Sequence, residues 1–243
     1  MRLKSYIKGI VRSVVVPPVE ALSKKPKPIR YKPGNIYVHR SLASFSQHNE
    51  DLVVDILTGM KSRGFYVDVG ANDPDRLSNT KRFYDRGWSG ITIEPDPLLS
   101  LELRRRRPRD VVLGVGVGEQ RGEMDFYRMS DSVYSCFGSD AATYNQKHFS
   151  AQIVAIEKIM VLPLREIFFE HLRQKEIDFL SIDVEGLDEV VLTSNDWSLY
   201  RPKMVMVELD RSQNSVINYL KGVGYELVYN NGLNGIFSSA DTL

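Results

Sequence analysis

The chain of 243 residues predicts an α/β fold in which a mostly parallel sheet lies between layers of helices and ends in an antiparallel edge. Three observations predict it. Short apolar runs alternate along the chain with stretches of helical periodicity. Two of these runs, FYVDVG at 65–70 and IDFLSIDVEG at 177–186, break at once into acids and glycine. Buried parallel strands read this way where they end over a ligand. Near the C-terminus, Tyr225–Tyr229 and Ile236–Ser238 flank Asn231-Gly232, a strong hairpin signal.

Met1–Val16 reads as a basic amphipathic helix, with Leu3, Ile7, Ile10, Val11 and Val14 in one stripe and Lys4, Lys8 and Arg12 opposite. It is expected to lie on an anionic membrane surface, to pack on the body or a partner chain, or to fray. Pro17-Pro18 ends it, and Lys24–Pro33 is a Pro/Lys linker, which places a domain boundary between 33 and 34. Residues 1–32 hold nine Lys/Arg and one acid, while the rest of the chain holds 23 bases and 30 acids. A basic arm on an acidic body implies an anionic partner for the arm alone.

In the body, Ser46–Met60 is expected to be a helix capped by Ser46, with Leu52, Val53, Ile56, Leu57 and Met60 on its apolar face. The strand Phe65–Val69 leads into a helix at Arg76–Arg86, closed by Gly87. Gly90–Ile93 is a second strand, followed by a helix at Leu98–Arg107 entered through Pro95 and Pro97. Further strands are expected at Asp110–Leu113, Gly122–Arg128 and Ile159–Leu162, with Ser130–Gln152 an irregular polar segment long enough for a substrate loop or lid. Helices at Leu164–Arg173, Leu187–Leu192 and Ser215–Gly222 alternate with strands at Ile177–Ile182 and Lys203–Leu209.

Composition narrows the function classes. A single Cys excludes an internal disulfide framework and suits a reducing, cytoplasmic setting. One Cys and four His make a Cys/His zinc site improbable. Apolar stretches fall short of a membrane span, and charges interrupt the N-terminal segment where a signal peptide would be apolar. No nucleic-acid partner is expected, and the oligomeric state stays open.

The candidate chemistry gathers at strand ends. Gly70 and Ala71 leave the backbone approachable after the first strand, and Asn72 and Asp73 tolerate turn geometry. Glu94 tips the next strand, where an acid accepts hydrogen bonds from the ribose of an adenosine-type cofactor. A dinucleotide is the competing ligand, but it wants further glycines and a free N–H where Pro74 stands. Gly114-x-Gly116-x-Gly118 reads as tight packing instead. Asp68, inside a buried strand, needs a partner, and the amino group of a methionine moiety is one candidate. Ser78-Asn79-Thr80 either contact the carboxylate end of that moiety or cap the following helix.

Asp183 and Glu185 end a central strand, and Glu208 and Asp210 end its neighbour. If Asp183 and Asp210 converge, they would hold a divalent cation such as Mg2+ and acidify a substrate hydroxyl. Without metal, Asp183 or Glu185 would act as general base or orient a sugar. His148, with Tyr134, Tyr144 and Phe149 on the expected lid, is a candidate base or an ordinary surface histidine. Arg104–Arg107 with Arg109 read first as the solvated end of a helix, and otherwise as a site for an acidic glycan, phosphate or lipid headgroup.

At these residues the chain resembles the FkbM family of S-adenosylmethionine-dependent methyltransferases. The matching pieces are Ser46-Gln47, Glu50-Asp51, FYVDVGANDP, Ser78-Asn79-Thr80, Ile93-Glu94-Pro95, IDVEG at 182–186 and Gly224-Tyr225-Glu226. They span about four-fifths of the chain, from Ser46 to Phe237. Pro74 stands where many relatives carry glycine. The resemblance implies a three-layer, Rossmann-like class I methyltransferase sandwich with a seven-stranded sheet, and transfer of methyl to a hydroxyl, often on a sugar or polyketide-type scaffold. It implies S-adenosyl-L-methionine as cofactor and a small-molecule or glycan acceptor. The candidate cofactor-binding residues are Asp68, Gly70, Ala71, Asn72, Ser78, Asn79, Glu94, Pro95 and Asp183. The candidate catalytic residues are Asp183, Glu185 and His148. An NAD-dependent oxidoreductase or nucleotide-sugar-modifying enzyme, and a non-catalytic membrane-associated scaffold, are the alternatives.

Overall fold

The computed structural model describes residues 43–173, 175–209 and 213–240. The expected basic helix, the linker with its 33/34 boundary, and Asp210 lie outside the described residues. In chain order, α1 (Glu50–Leu57), β1 (Phe65–Val69), α2 (Lys81–Arg86), β2 (Ser89–Ile93), α3 (Pro97–Arg106) and β3 (Val111–Leu113) form the first half. An insertion follows: β4 (Gly116–Val117), β5 (Gly122–Met129), β6 (Cys136–Phe137), α4 (Ser139–Phe149) and β7 (Ile153–Leu162). The chain then adds α5 (Leu164–His171), β8 (Phe179–Ile182), α6 (Asp188–Thr193), β9 (Met204–Glu208), α7 (Gln213–Gly222), β10 (Tyr225–Asn230) and β11 (Asn234–Ser239).

The main sheet has seven strands in the order β10-β11-β9-β8-β1-β2-β3, with β11 antiparallel to both its neighbours and the other pairings parallel. This is the expected α/β sandwich with its hairpin edge. Alternation along the strands supplies both core faces. Val67, Val69, Ile91, Ile93, Leu180, Ile182, Val205 and Val207 pack against Ile167, Phe168, Val191, Leu192, Val216 and Leu220 of α5, α6 and α7. Tyr66, Phe179, Met204, Met206 and Ile236 pack on the other face against Val53 and Val54 of α1, Phe83 of α2 and Trp88. From β1 the chain steps outward through β2 to β3, then returns to β8 on the opposite side of β1. The carboxyl ends of β1 and β8 therefore flank a topological switch point, where open α/β sheets leave a crevice.

Several expectations are corrected. The first helix begins at Glu50 rather than Ser46, because residues 44–46 wrap around the wholly buried Asp51: its carboxylate accepts from the Ser44 and Ser46 hydroxyls, from the Phe45 and Leu52 N–H groups and from Arg82 Nε. The helix expected at 76–86 is confined to 81–86, since the preceding residues belong to the long turn after β1; Gly87 does close it, with φ 104°. The strands at 122–128 and 159–162 leave the main sheet and join a second one, in the order β4-β7-β5-β6. The 130–152 region is ordered, not irregular: β6 pairs with β5, and α4 buries Ala142 and Asn145. Gly116 does pack tightly, as expected; an added Cβ would lie 2.5 Å from the Phe137 ring. Among the described residues no helix is long and apolar enough to cross a membrane.

Candidate functional site

A cavity of about 860 Å³ opens where β1, β2, β8 and β9 end, and the insertion covers it. Its floor is the turn after β1. Gly70 and Ala71 both donate their N–H to the Ile93 carbonyl, which draws that turn against β2. Gly70 sits at φ +80°, and an added Cβ would lie 1.8 Å from the Asp183 carbonyl oxygen. Glycine is required here by both backbone conformation and contact. Asn72 follows in the left-handed region, at φ 49°. Its N–H donates to Glu94 Oε2 at 2.7 Å, and its Oδ1 accepts from Ser132 of the insertion at 2.8 Å.

Glu94 is 4 % exposed. Its Oε1 accepts from the Asp96 N–H at 2.8 Å, so both oxygens are held by backbone donors. Burial pushes its carboxyl up to about 7, against the pull of those donors. A carboxylate offers about four acceptor positions, so capacity remains for hydroxyl donors in the cavity. Asp96 caps α3 by accepting from the Leu98 N–H at 2.8 Å, and Pro97 occupies the first helical turn. The acid–Pro–acid–Pro run at the β2 tip thus makes a fixed corner, with Pro95 on the cavity wall.

Asp68 reaches the cavity from within β1, on the α2 side of the sheet. Its Oδ2 accepts the Thr80 hydroxyl at 2.5 Å, and Ser181 of β8 is a second donor. Burial pushes Asp68 up from its ordinary range, while Arg107, Thr80 and Ser181 pull it down. Asn79 lines the cavity and donates to Ser181 Oγ at 3.3 Å.

Asp183 and Glu185 follow β8. Burial first, then the charges of Glu185, Glu208 and Asp188, push Asp183 well above its usual carboxylate range. Glu185 is exposed at the cavity lip with φ 55°. Burial and Glu185 push the thiol of Cys136, in the cavity wall, up to about 11, which favours the neutral thiol over the thiolate. The turn between them and α6 is closed by Asp188, whose carboxylate accepts from the Val184 and Gly186 N–H groups at 3.3 and 3.2 Å; burial raises it to about 6.

The structure thus brings Asp68, Gly70, Ala71, Asn72, Asn79, Glu94, Pro95, Asp183 and Glu185 to one cavity. Two candidates go elsewhere. Ser78 is buried away from the cavity, where its oxygen accepts from the Thr80 and Lys81 N–H groups and from Arg107: it serves as a cap. His148 faces solvent on α4, where its ring stacks on Tyr144 at 4.0 Å and its Nδ1 lies 2.9 Å from the Tyr144 carbonyl oxygen. It is outside the cavity because α4 turns Tyr144 and Asn145 inward instead. The Asp183–Asp210 cation pair is not described, and among the described residues no group of three or more His, Cys, Asp or Glu could hold a metal ion.

Sequence reasoning missed three features. Asp188 carried a signal, an acid at the start of a helix after glycine. Asp140 and Asn145 join Tyr134, Tyr144 and Phe149, the aromatics expected on the lid, in the wall contributed by the insertion, which only its folding assembles. Arg107, expected to be solvated, is 1 % exposed and lies beneath the turn after β1.

A family model described as "Methyltransferase FkbM domain" matches residues 68–227. Among solved structures the chain is similar to a TehB-like SAM-dependent methyltransferase from Corynebacterium glutamicum, at 13% identity over 78% of this chain and 86% of that one, with a TM-score of 0.39. Comparison with curated proteins gave no match.

Proposed function

The chain belongs to the FkbM methyltransferase family and is an S-adenosylmethionine-dependent methyltransferase; we propose that it methylates a hydroxyl, on a sugar of a glycan or glycolipid. The observation that carries this reading is the chemistry of the cavity wall. Asp68, Glu94, Asp140, Asp183, Glu185, Asp188 and Glu208 line it together with the aromatic side chains of Tyr134, Tyr144 and Phe149. Carboxylates favour a positively charged donor and disfavour the pyrophosphate of a dinucleotide. Carboxylates beside aromatic rings also suit a polyhydroxylated acceptor.

The residues present fit the donor. The Glu94 carboxylate would take the ribose hydroxyls with its remaining acceptor capacity. The missing side chain at Gly70 leaves the backbone open to close approach, and Asp68 and Asn79 would take the methionine end. When bound, the cofactor supplies a methyl group already activated on a sulfonium sulfur. The protein's part is alignment of the acceptor oxygen, exclusion of water by the insertion, and proton removal. Asp183 is our candidate for the last step: burial and like charges raise its basicity, and it stands between the β1 turn and the β8 loop. Glu185 would orient the sugar from the lip.

Calorimetry against S-adenosylmethionine, S-adenosylhomocysteine and NAD tests the donor site, and binding of NAD alone would overturn it. Mass spectrometry of glycans and glycolipids from cells with and without the gene tests the acceptor; an unchanged methylation pattern in both pools would remove the sugar assignment. The basic segment 1–16 is proposed to hold the enzyme against an anionic membrane surface.

A further inference from the structure

Arg107 caps the C-terminus of α3, and its guanidinium is buried under the turn after β1. It does not line the cavity. Nη2 donates to the Pro74 carbonyl at 2.6 Å and to Ser78 Oγ at 2.7 Å, and Nη1 donates to Thr80 Oγ1 at 2.7 Å. A guanidinium has no acceptor. The Thr80 hydroxyl must therefore receive from Arg107 and send its single proton elsewhere. Asp68 Oδ2 stands 2.5 Å away to accept it. Ser181 repeats the arrangement on the other side: its Oγ receives Asn79 Nδ2 at 3.3 Å, and its hydroxyl is hydrogen-bonded to Asp68. Asp68 is thus met by hydroxyl protons whose direction is set by N–H donors behind them. That arrangement accommodates a carboxylate, because a proton on Asp68 would confront a hydroxyl already committed as donor.

We infer that Arg107 is a positioning residue which, through the Thr80 hydroxyl, keeps Asp68 ionised at the floor of the cavity. The inference rests on the reading above in one respect, that Asp68 lies against the methionine end of the cofactor. Burial works against that charge, and the carboxyls of Glu94, Asp183 and Asp110 all feel it. Arg107 is the one cation that acts on Asp68 from the described elements packed around it.

The test uses 13C carboxyl NMR of the full chain without cofactor, followed by S-adenosylhomocysteine binding across pH. Arg107→Met is expected to raise the Asp68 titration midpoint by about one pH unit or more, the scale of a carboxylate that loses a neighbouring arginine. The acid limb of binding is expected to move up with it, with roughly a tenfold loss of affinity below the new midpoint. Arg107→Lys should restore most of both, because the charge remains. Thr80→Val keeps Arg107 but breaks the relay and should shift the midpoint in the same direction; it also serves if Arg107→Met fails to fold. Asp68→Asn should abolish the dependence of the acid limb on Arg107 and Thr80, leaving only the part that Glu94, raised to about 7, contributes. An unchanged Asp68 midpoint in Arg107→Met and Thr80→Val would overturn the inference. A moved midpoint with an unmoved binding profile would leave Arg107 in its role and overturn the placement of the cofactor against Asp68.

Discussion

The Glu94 carboxylate holds the turn of the neighbouring strand, accepting the Asn72 N–H at 2.7 Å across 22 residues of sequence. The acid that tips β2 thereby shapes the loop that follows β1. Since its other oxygen accepts from the Asp96 N–H, its position is fixed before any ligand arrives.

Glu94→Ala should weaken S-adenosylmethionine binding by about 1–3 kcal/mol, the loss expected for a charged hydrogen-bond partner. Isothermal calorimetry measures it. Unchanged affinity would sink the ribose assignment.

Glu94 also predicts a pH dependence. Its carboxyl stands at about 7 in the folded chain against an ordinary 4.5. Between those values the unfolded chain releases the proton and the folded one keeps it, so stability falls as pH rises through that window. Asp188, raised to about 6, adds to the same trend. Thermal melts without cofactor should therefore show a higher Tm at pH 5.5 than at pH 7.5. Glu94→Gln should flatten the slope, and a slope unaltered by that substitution would contradict the assignment.

Gly70→Ala should destabilise the chain by more than ~2 kcal/mol, since a Cβ at φ +80° meets the Asp183 carbonyl. Urea denaturation gives the figure. A variant as stable as the parent would show that the β1 and β8 ends do not approach so closely.

Asp51→Ala should cost about 3 kcal/mol, because it strips the shared acceptor from the buried donors of residues 44–46 and one of the partners from Arg82, which keeps Asp55 and the Ala43 carbonyl. Cofactor affinity of the surviving folded fraction should stay near that of the parent, since Asp51 lies outside the cavity wall. Denaturation and calorimetry on one preparation separate the two effects.

The N-terminal segment has its own test. Full-length protein should co-sediment with anionic liposomes, and removal of residues 1–24 should abolish this; a full-length protein that stays in the supernatant would end the membrane proposal.

How much could be read in advance depended on whether a feature was local. Asp68, Gly70, Asn72 and Glu94 were legible because a strand end, a glycine turn and the next strand's acid lie within one short stretch and obey fixed geometry. Ser78 carried two readings, and the guanidinium of Arg107 decided between them by taking its hydroxyl oxygen. His148 carried two readings because its segment reads as irregular in the sequence; once α4 forms, Ala142 and Asn145 turn inward and the histidine turns out.

The sequence by itself determined the alternation of strands and helices, the antiparallel hairpin edge, the family, and the strand-end residues that gather at the cavity floor. Each follows from residues near one another in the chain, through periodicity, turn chemistry and strand-end acids. Tertiary structure alone decided that 122–129 and 153–162 pair outside the main sheet, that the 130–152 segment becomes a helical cover, and that Arg107 lies beneath Asp68. Those outcomes depend on strand pairing across 24 to 39 residues and on burial of a charge across 27 or more, where the favourable partner is supplied by the fold and leaves no pattern in the neighbouring sequence.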